Sequence, residues 1–122
     1  MSEPLRIVVA DDDDTVRELL ERCLAALGHE VRAVGGGLAL LDACAAAPPD
    51  VVVSDVQMPD LDGLAAAEAI RRAAATPVVL LSGGWDEPSR ARAAGIAAVW
   101  CLDKPFRVQE LVRALAAVAD GR

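Results

Sequence analysis

The chain is poor in the residues that several common chemistries require. It has one histidine, His29, and three cysteines, Cys23, Cys44 and Cys101, with no C-x-x-C pair. An odd, widely spaced set of thiols with a single imidazole supports neither a disulfide framework nor a zinc site. Each cysteine lies among apolar residues, which predicts reduced thiols in the core. His29 follows Gly28 with no acid or thiol at catalytic spacing and reads as a turn residue. Basic charge is also scarce: 12 Lys and Arg face 19 Asp and Glu, for a net charge of −7. That balance disfavours direct contact with nucleic acid or an anionic membrane and favours a basic partner or a bound cation. No apolar run approaches the ~20 residues that span a bilayer, and MSEPLR lacks the features of a secretory signal, so a cytoplasmic protein is expected. Repeats, low-complexity linkers and a second domain are missing too. The expectation is one domain over residues 1–122, with sheet and helices over about 5–120 and no output domain.

What is present is an alternation of apolar runs and helical patterns. Leu5–Ala10, Val51–Ser54, Pro77–Leu81 and Ala98–Leu102 are nearly continuous apolar segments, as expected of strands covered on both faces. Glu30–Val34 is a weaker fifth candidate. Between them, Val16, Leu19, Leu20, Cys23, Leu24 and Leu27 follow helical spacing, with Gly28 as the stop. Thr15-Val16-Arg17-Glu18 fits a capping box in which Thr15 accepts from the Glu18 amide, and Asp13 or Asp14 competes for that cap. Further helices are expected over Leu38–Ala46, Leu64–Ala74, a short stretch opening near Pro88 and ending at Gly95, and Phe106 to about Asp120. The last should bury Val108, Leu111, Val112, Leu115 and Val118 or Ala119. Five βα units predict an α/β fold with a parallel sheet covered on both faces by helices.

In such a sheet, ligands bind beyond the carboxyl ends of the strands. The residues there are Asp11 and Asp12, Asp55, Ser82 and Lys104. Carboxylates packed within ~4 Å repel by several kcal/mol at a protein-like dielectric, so a cation with oxygen ligands is expected among them. Mg²⁺ suits, because it takes one or two carboxylates and keeps waters that phosphate oxygens can replace. Metal, ammonium, hydroxyl and backbone N–H together can stabilise a phosphoryl group in transfer, with a carboxylate as nucleophile. Asp13 and Asp14 read as solvated or capping residues.

The segments IVVADDDDTVRELL, VVVSDVQMPDLDGL, PVVLLSGG and LDKPF resemble the signature blocks of two-component response-regulator receiver domains, in order and across nearly the whole chain. The resemblance implies a doubly wound (βα)5 flavodoxin-like fold with a five-stranded parallel sheet of order 2-1-3-4-5 and helices on both faces. It also implies Asp55 as phosphoacceptor, Asp12 as a direct Mg²⁺ ligand, Asp11 as a ligand through water, and the Gln57 carbonyl completing the shell, with Mn²⁺ an alternative ion. Ser82 and the Gly83 N–H would hold the phosphoryl group and Lys104 would pair with it. Gln57 and Gly84 fall where receivers tune dephosphorylation. Pro59 and Gly63 are expected to shape the turn after Asp55, and Lys104-Pro105 to be cis. Three residues before the lysine the family usually has Tyr or Phe; this sequence has Cys101, with Trp100 beside it, so Ser82, Cys101 and Trp100 are the expected switch residues.

The implied partner is a sensor histidine kinase or histidine phosphotransfer protein. The implied output face is the fourth helix, fifth strand and fifth helix, with a phosphorylation-dependent dimer as one mode and the downstream target unspecified. The chain would catalyse only its own phosphorylation and dephosphorylation. Two other classes use similar residues: a phosphorylation-independent interaction module, and a Mg²⁺-dependent phosphohydrolase with an aspartyl-phosphate intermediate. The latter normally has a second acid two residues after its nucleophile, where this chain has Gln57. Trp85, in the loop after Ser82-Gly83-Gly84, reads equally as an exposed contact residue or as packing on the fourth helix.

Overall fold

A computed structural model describes residues 4–120, apart from the side chains of residues 119 and 120. Met1–Glu3, the Ala119 alternative on the last helix and the terminal Gly121-Arg122 lie outside the described residues. The elements run β1 (Arg6–Ala10), α1 (Asp14–Ala26), β2 (Glu30–Val34), α2 (Gly37–Ala46), β3 (Val51–Asp55), α3 (Gly63–Ala73), β4 (Val78–Ser82), α4 (Glu87–Ala94), β5 (Val99–Asp103) and α5 (Val108–Asp120). All neighbouring strands are parallel, in the order β2-β1-β3-β4-β5. Among the described residues no helix is long and apolar enough to cross a membrane.

Side chains alternate across each strand, so an apolar run feeds two cores at once. Ile7 and Val9 of β1 join Leu20, Leu24, Leu111 and Leu115 beneath α1 and α5, whereas Val8 and Ala10 join Leu40, Leu64 and Ile70 beneath α2 and α3. β3 and β4 are buried along their whole length, while the outer strands β2 and β5 are partly exposed. This explains the weaker pattern of β2. The register then staggers the strand ends: Ala10 lies beside Ser54, Asp55 beside Leu81, and Ser82 beside Asp103. Asp11, Asp55, Ser82 and Lys104 are thereby brought to one edge of the sheet.

The helix α1 departs from expectation at its start and along one side. Asp13, not Thr15, is the N-cap; its Oδ1 accepts from the N–H groups of Thr15 (2.9 Å) and Val16 (3.1 Å). A carboxylate has full charge to set against the positive helix end, and a hydroxyl has none. Leu19 is 63% exposed and Leu27 45% exposed, so the predicted stripe is too wide. Leu20 and Leu24 are buried with Val16 and Cys23 beside them; Leu19 sits off that line and Leu27 is already the C-cap residue. Gly28, at φ +96°, ends the helix as expected. The N–H of Gly28 donates to Ala25 and that of His29 to Leu24, the paired bonds of a Schellman motif. His29 Nδ1 in turn accepts from Leu5 N–H at 3.0 Å, a purely structural tie.

Other helices show smaller corrections. On α5, Leu111, Ala114, Leu115 and Val118 are buried, but Val108 and Val112 are exposed. The helix α4 is short as expected: Asp86 caps it by accepting from Ser89 N–H (2.8 Å), Pro88 lies in its first turn, and Gly95 closes it. The positive φ of the following loop falls on Ala98 (+58°) rather than on Gly95. The three thiols are free, but none belongs to the buried core: Cys23 and Cys44 are half-buried and Cys101 is exposed on the edge strand. Burial pushes the Cys44 thiol up, and partial desolvation by neighbouring atoms does the same to Cys101 although its surface is exposed, which favours the unreactive protonated form.

Gly63 sets how closely α3 approaches β3. Its N–H donates to Val56 O (2.8 Å), and a Cβ there would lie 2.2 Å from the carbonyl oxygen of Asp55. Only a hydrogen fits. Gly63→Ala should therefore destabilise the domain by about 2 kcal/mol or more through overpacking beside Asp55, read as a lower denaturant midpoint with unchanged m.

Candidate functional site

The acid run Asp11–Asp14 divides into four different roles. Asp11, fully buried, directs Oδ1 to the N–H of Asp13 (2.9 Å) and Oδ2 to Lys104 Nζ (3.3 Å). Asp12 is exposed and lines a cleft between the β3–α3 and β4–α4 loops. Asp13 caps α1, and Asp14 pairs with Arg17 on its surface. Arg17 also donates to the Asp11 carbonyl at 3.0 Å, so the loop after β1 is held from both sides.

Asp55 ends β3 at 7% exposure, with Lys104 Nζ 3.5 Å from its Oδ1. Carboxylate oxygens of Asp11, Asp12 and Asp55 all lie within 4.8 Å of one another. Three acids thus cluster, two of them sharing one ammonium, and a pair of like charges about 4 Å apart costs roughly 4 kcal/mol at an effective dielectric near 20. The surplus is negative, the donors are hard oxygens, and Asp12 opens to solvent. This set fits a small divalent cation such as Mg²⁺. Burial pushes the Asp55 carboxyl above its ordinary range; Lys104 opposes this, Asp11 adds to it, and the Gln57 amide opposes it again.

Ser82 ends β4, buried, and its Oγ accepts from Gly84 N–H (3.1 Å). Gly83 is exposed beside Lys104: a Cβ on it would lie 3.8 Å from the lysine Cβ. Gln57 and Gly84 face each other across the cleft, with Gln57 Nε2 3.8 Å from where a Gly84 Cβ would be. The cleft has a volume near 510 Å³, and Asp12, Gln57, Ser82, Gly84 and Trp85 contribute to its wall. The Lys104-Pro105 bond is cis, as expected.

The matched family model, response regulator receiver domain, spans residues 7–116. The chain belongs to this family. Response regulator MprA of Mycobacterium sp. (strain KMS) is 39% identical over 117 residues, covering 94% of this chain and 50% of that protein. Protein-glutamate methylesterase/protein-glutamine glutaminase 2 of Anaeromyxobacter dehalogenans is 39% identical over 110 residues, covering 88% of this chain and 32% of that protein. The chain therefore spans half or less of these curated relatives. The similarity to the methylesterase is to its receiver part alone. Among solved structures, chemotaxis protein CheY4 of Vibrio cholerae superposes with TM-score 0.87 at 26% identity, covering 95% of this chain and 99% of that one. Receiver domains of two-component systems generally bind Mg²⁺, and the acidic cluster of this one is compatible with that and with phosphorylation.

Two expected switch positions of the receiver stand apart from the cleft. Cys101 is exposed in a groove between β5 and α5, and Trp100 packs against the core beneath α1 and α5; neither lines the cleft wall. Trp85 does line it. Of the two readings of Trp85, packing is the one observed: the ring is half-buried against the cluster beneath α4, and its Nε1 donates to Leu102 O at 3.2 Å. Sequence reasoning also missed Asp60, whose carboxylate accepts from the N–H groups of Gly37, Leu38 and Leu61 and so caps α2 from the loop after β3. These bonds hold the Asp60 carboxyl below its usual range. Its partners in α2 lie 22 and 23 residues away, so no local pattern announces it.

The raised Asp55 carboxyl has a signed consequence for stability. Between the ordinary carboxylate range and its raised value, the folded protein holds a proton that the unfolded chain has released, so stability falls as pH rises through that window. In buffer containing a chelator, Asp55→Asn should melt at a higher temperature than the parent at pH 7. The difference should narrow as pH falls toward about 4, measured by thermal melts across pH.

Proposed function

We propose that this receiver accepts a phosphoryl group onto Asp55 from a phosphohistidine of a sensor kinase or histidine phosphotransfer protein. The observation that carries the reading is Lys104 Nζ held 3.3 and 3.5 Å from oxygens of Asp11 and Asp55, whose carboxylates cluster with that of Asp12 on the cleft wall. An Asp55 oxygen attacks phosphorus as the P–N bond to the partner's imidazole breaks, and that electron pair returns to the imidazole. Lys104 offsets the charge on the transferred oxygens, while the Ser82 hydroxyl and Gly83 N–H donate to them.

Asp12 and the Gln57 carbonyl would hold Mg²⁺, or Mn²⁺, together with Asp55. Asp11 would act through a water, since its two oxygens are already engaged by Asp13 N–H and Lys104. When bound, the cation supplies charge neutralisation to an anionic phosphoryl group approaching an anionic carboxylate. Gln57 and Gly84, across the cleft from each other, are placed to govern water access to the acyl phosphate and hence its lifetime. The added charge would draw Ser82 and its loop inward and shift a two-state equilibrium felt on α4, β5 and α5, the face for a downstream target or a second copy. On this reading the chain is one receiver unit of the cytoplasm that catalyses only its own modification.

Incubation with acetyl phosphate tests the assignment. Acid-labile incorporation should require Mg²⁺, should disappear in Asp55→Asn, and should fall at least tenfold in Lys104→Ala with folding retained. Labelling of Asp55→Asn at the parent's level would remove Asp55 from the reaction.

A further inference from the structure

As the edge strand beside β4, β5 turns one row of its backbone groups toward β4 and the other away. Val78 N–H donates to Ala98 O (3.0 Å) and Lys104 N–H to Ser82 O (2.8 Å), so even-numbered residues of β5 face the seam. Leu102 has the same parity, and its carbonyl lies at the seam's last rung, where Ser82 pairs with Asp103. Trp85 Nε1 donates to that carbonyl. A second route reaches the same strand end: the Arg90 guanidinium carbon stands 5.7 Å over the indole ring, and Arg90 pairs with Asp103 at 2.9 Å. The indole thus leaves the loop and is fastened to β5 next to Ser82.

Only Gly83 and Gly84, both exposed, separate Ser82 from Trp85. Two consecutive glycines have the greatest backbone freedom to lose, and a loop carrying phosphoryl donors gains by having lost it beforehand. One end of this span is fixed by the β4 ladder and the Ser82 Oγ bond to Gly84 N–H. The other is fixed by the indole.

We propose that Trp85 is a positioning residue for phosphoryl transfer: its clasp on the Leu102 carbonyl holds the Ser82–Gly84 turn, with its hydroxyl and N–H donors, over Asp55 and Lys104. This rests on Asp55 as phosphoacceptor. The clasp acts on the loop and not on the acids, so it affects transfer separately from cation binding.

Trp85→Phe keeps an aromatic ring at this half-buried position and removes the indole N–H together with part of the ring. The rate of Asp55 labelling by acetyl phosphate at saturating Mg²⁺ should fall about three- to tenfold, the range one hydrogen bond commands. The Mg²⁺ dissociation constant from calorimetry should stay within about twofold, because the acids are untouched. Gly84→Ala supplies the rescue, since a Cβ there meets nothing nearer than Gln57 Nε2 at 3.8 Å. Stiffening the span this way should shrink the Trp85→Phe defect when the double variant is compared with Gly84→Ala alone. A Trp85→Phe rate within twofold of the parent, a loss that tracks Mg²⁺ affinity, or a defect unchanged by Gly84→Ala overturns the clasp while leaving Asp55 labelled. A parent protein that takes no label at Asp55 overturns the functional reading and the clasp with it.

Discussion

The structure depends on one electrostatic compromise, the ammonium of Lys104 set between the buried carboxylates of Asp11 and Asp55. Those acids occupy the ends of two adjacent central strands, where the core leaves least water to screen them. Without that counter-charge the repulsion would be relieved by a bound cation or by protonation of one carboxyl, at a cost in stability but without loss of the fold. Lys104 offsets part of the charge, and a remainder is left that can attract a cation. That incomplete neutralisation is what separates a reactive site from an inert buried ion pair.

The surrounding architecture supplies geometry to that compromise. A register shift of one residue at any seam would turn Asp55 or Ser82 to another level or face. Gly63 lets α3 press against the Asp55 carbonyl, and Asp60 anchors the same loop to the start of α2. Arg17 and Asp13 brace the loop of Asp11 from the helix side. Across the cleft, the turn at Gly84 is tied by its N–H to Ser82 Oγ, and the Trp85 indole that follows is tied to the Leu102 carbonyl.

The parallel sheet was legible because continuous apolar runs have few other uses, and β2 was faint for the reason that edge strands bury less. Asp11, Asp12, Asp55, Ser82 and Lys104 were legible as strand-end residues once the βα order was read, and the structure does bring them to one edge. What sequence could not resolve was competition and distance. Asp13 and Thr15 are both good caps, and the choice turns on a difference of charge. Leu19 obeys helical spacing yet lies off the buried line, because the angle at which α1 meets the sheet is a tertiary property. Trp85 bonds a main-chain carbonyl 17 residues away, and backbone acceptors leave no trace in side-chain patterns.

The bond between Lys104 and Asp11 joins residues 93 positions apart, close to the full span of the domain. A nascent chain displays Asp11, Asp12 and Asp55 early and receives Lys104 only when β5 has docked. Closing the sheet and assembling the site are therefore a single event, and an incompletely made or partly unfolded receiver is electrostatically repelled from the arrangement that chemistry needs. Such a molecule would lack the juxtaposed charges on which the proposed phosphoryl transfer rests.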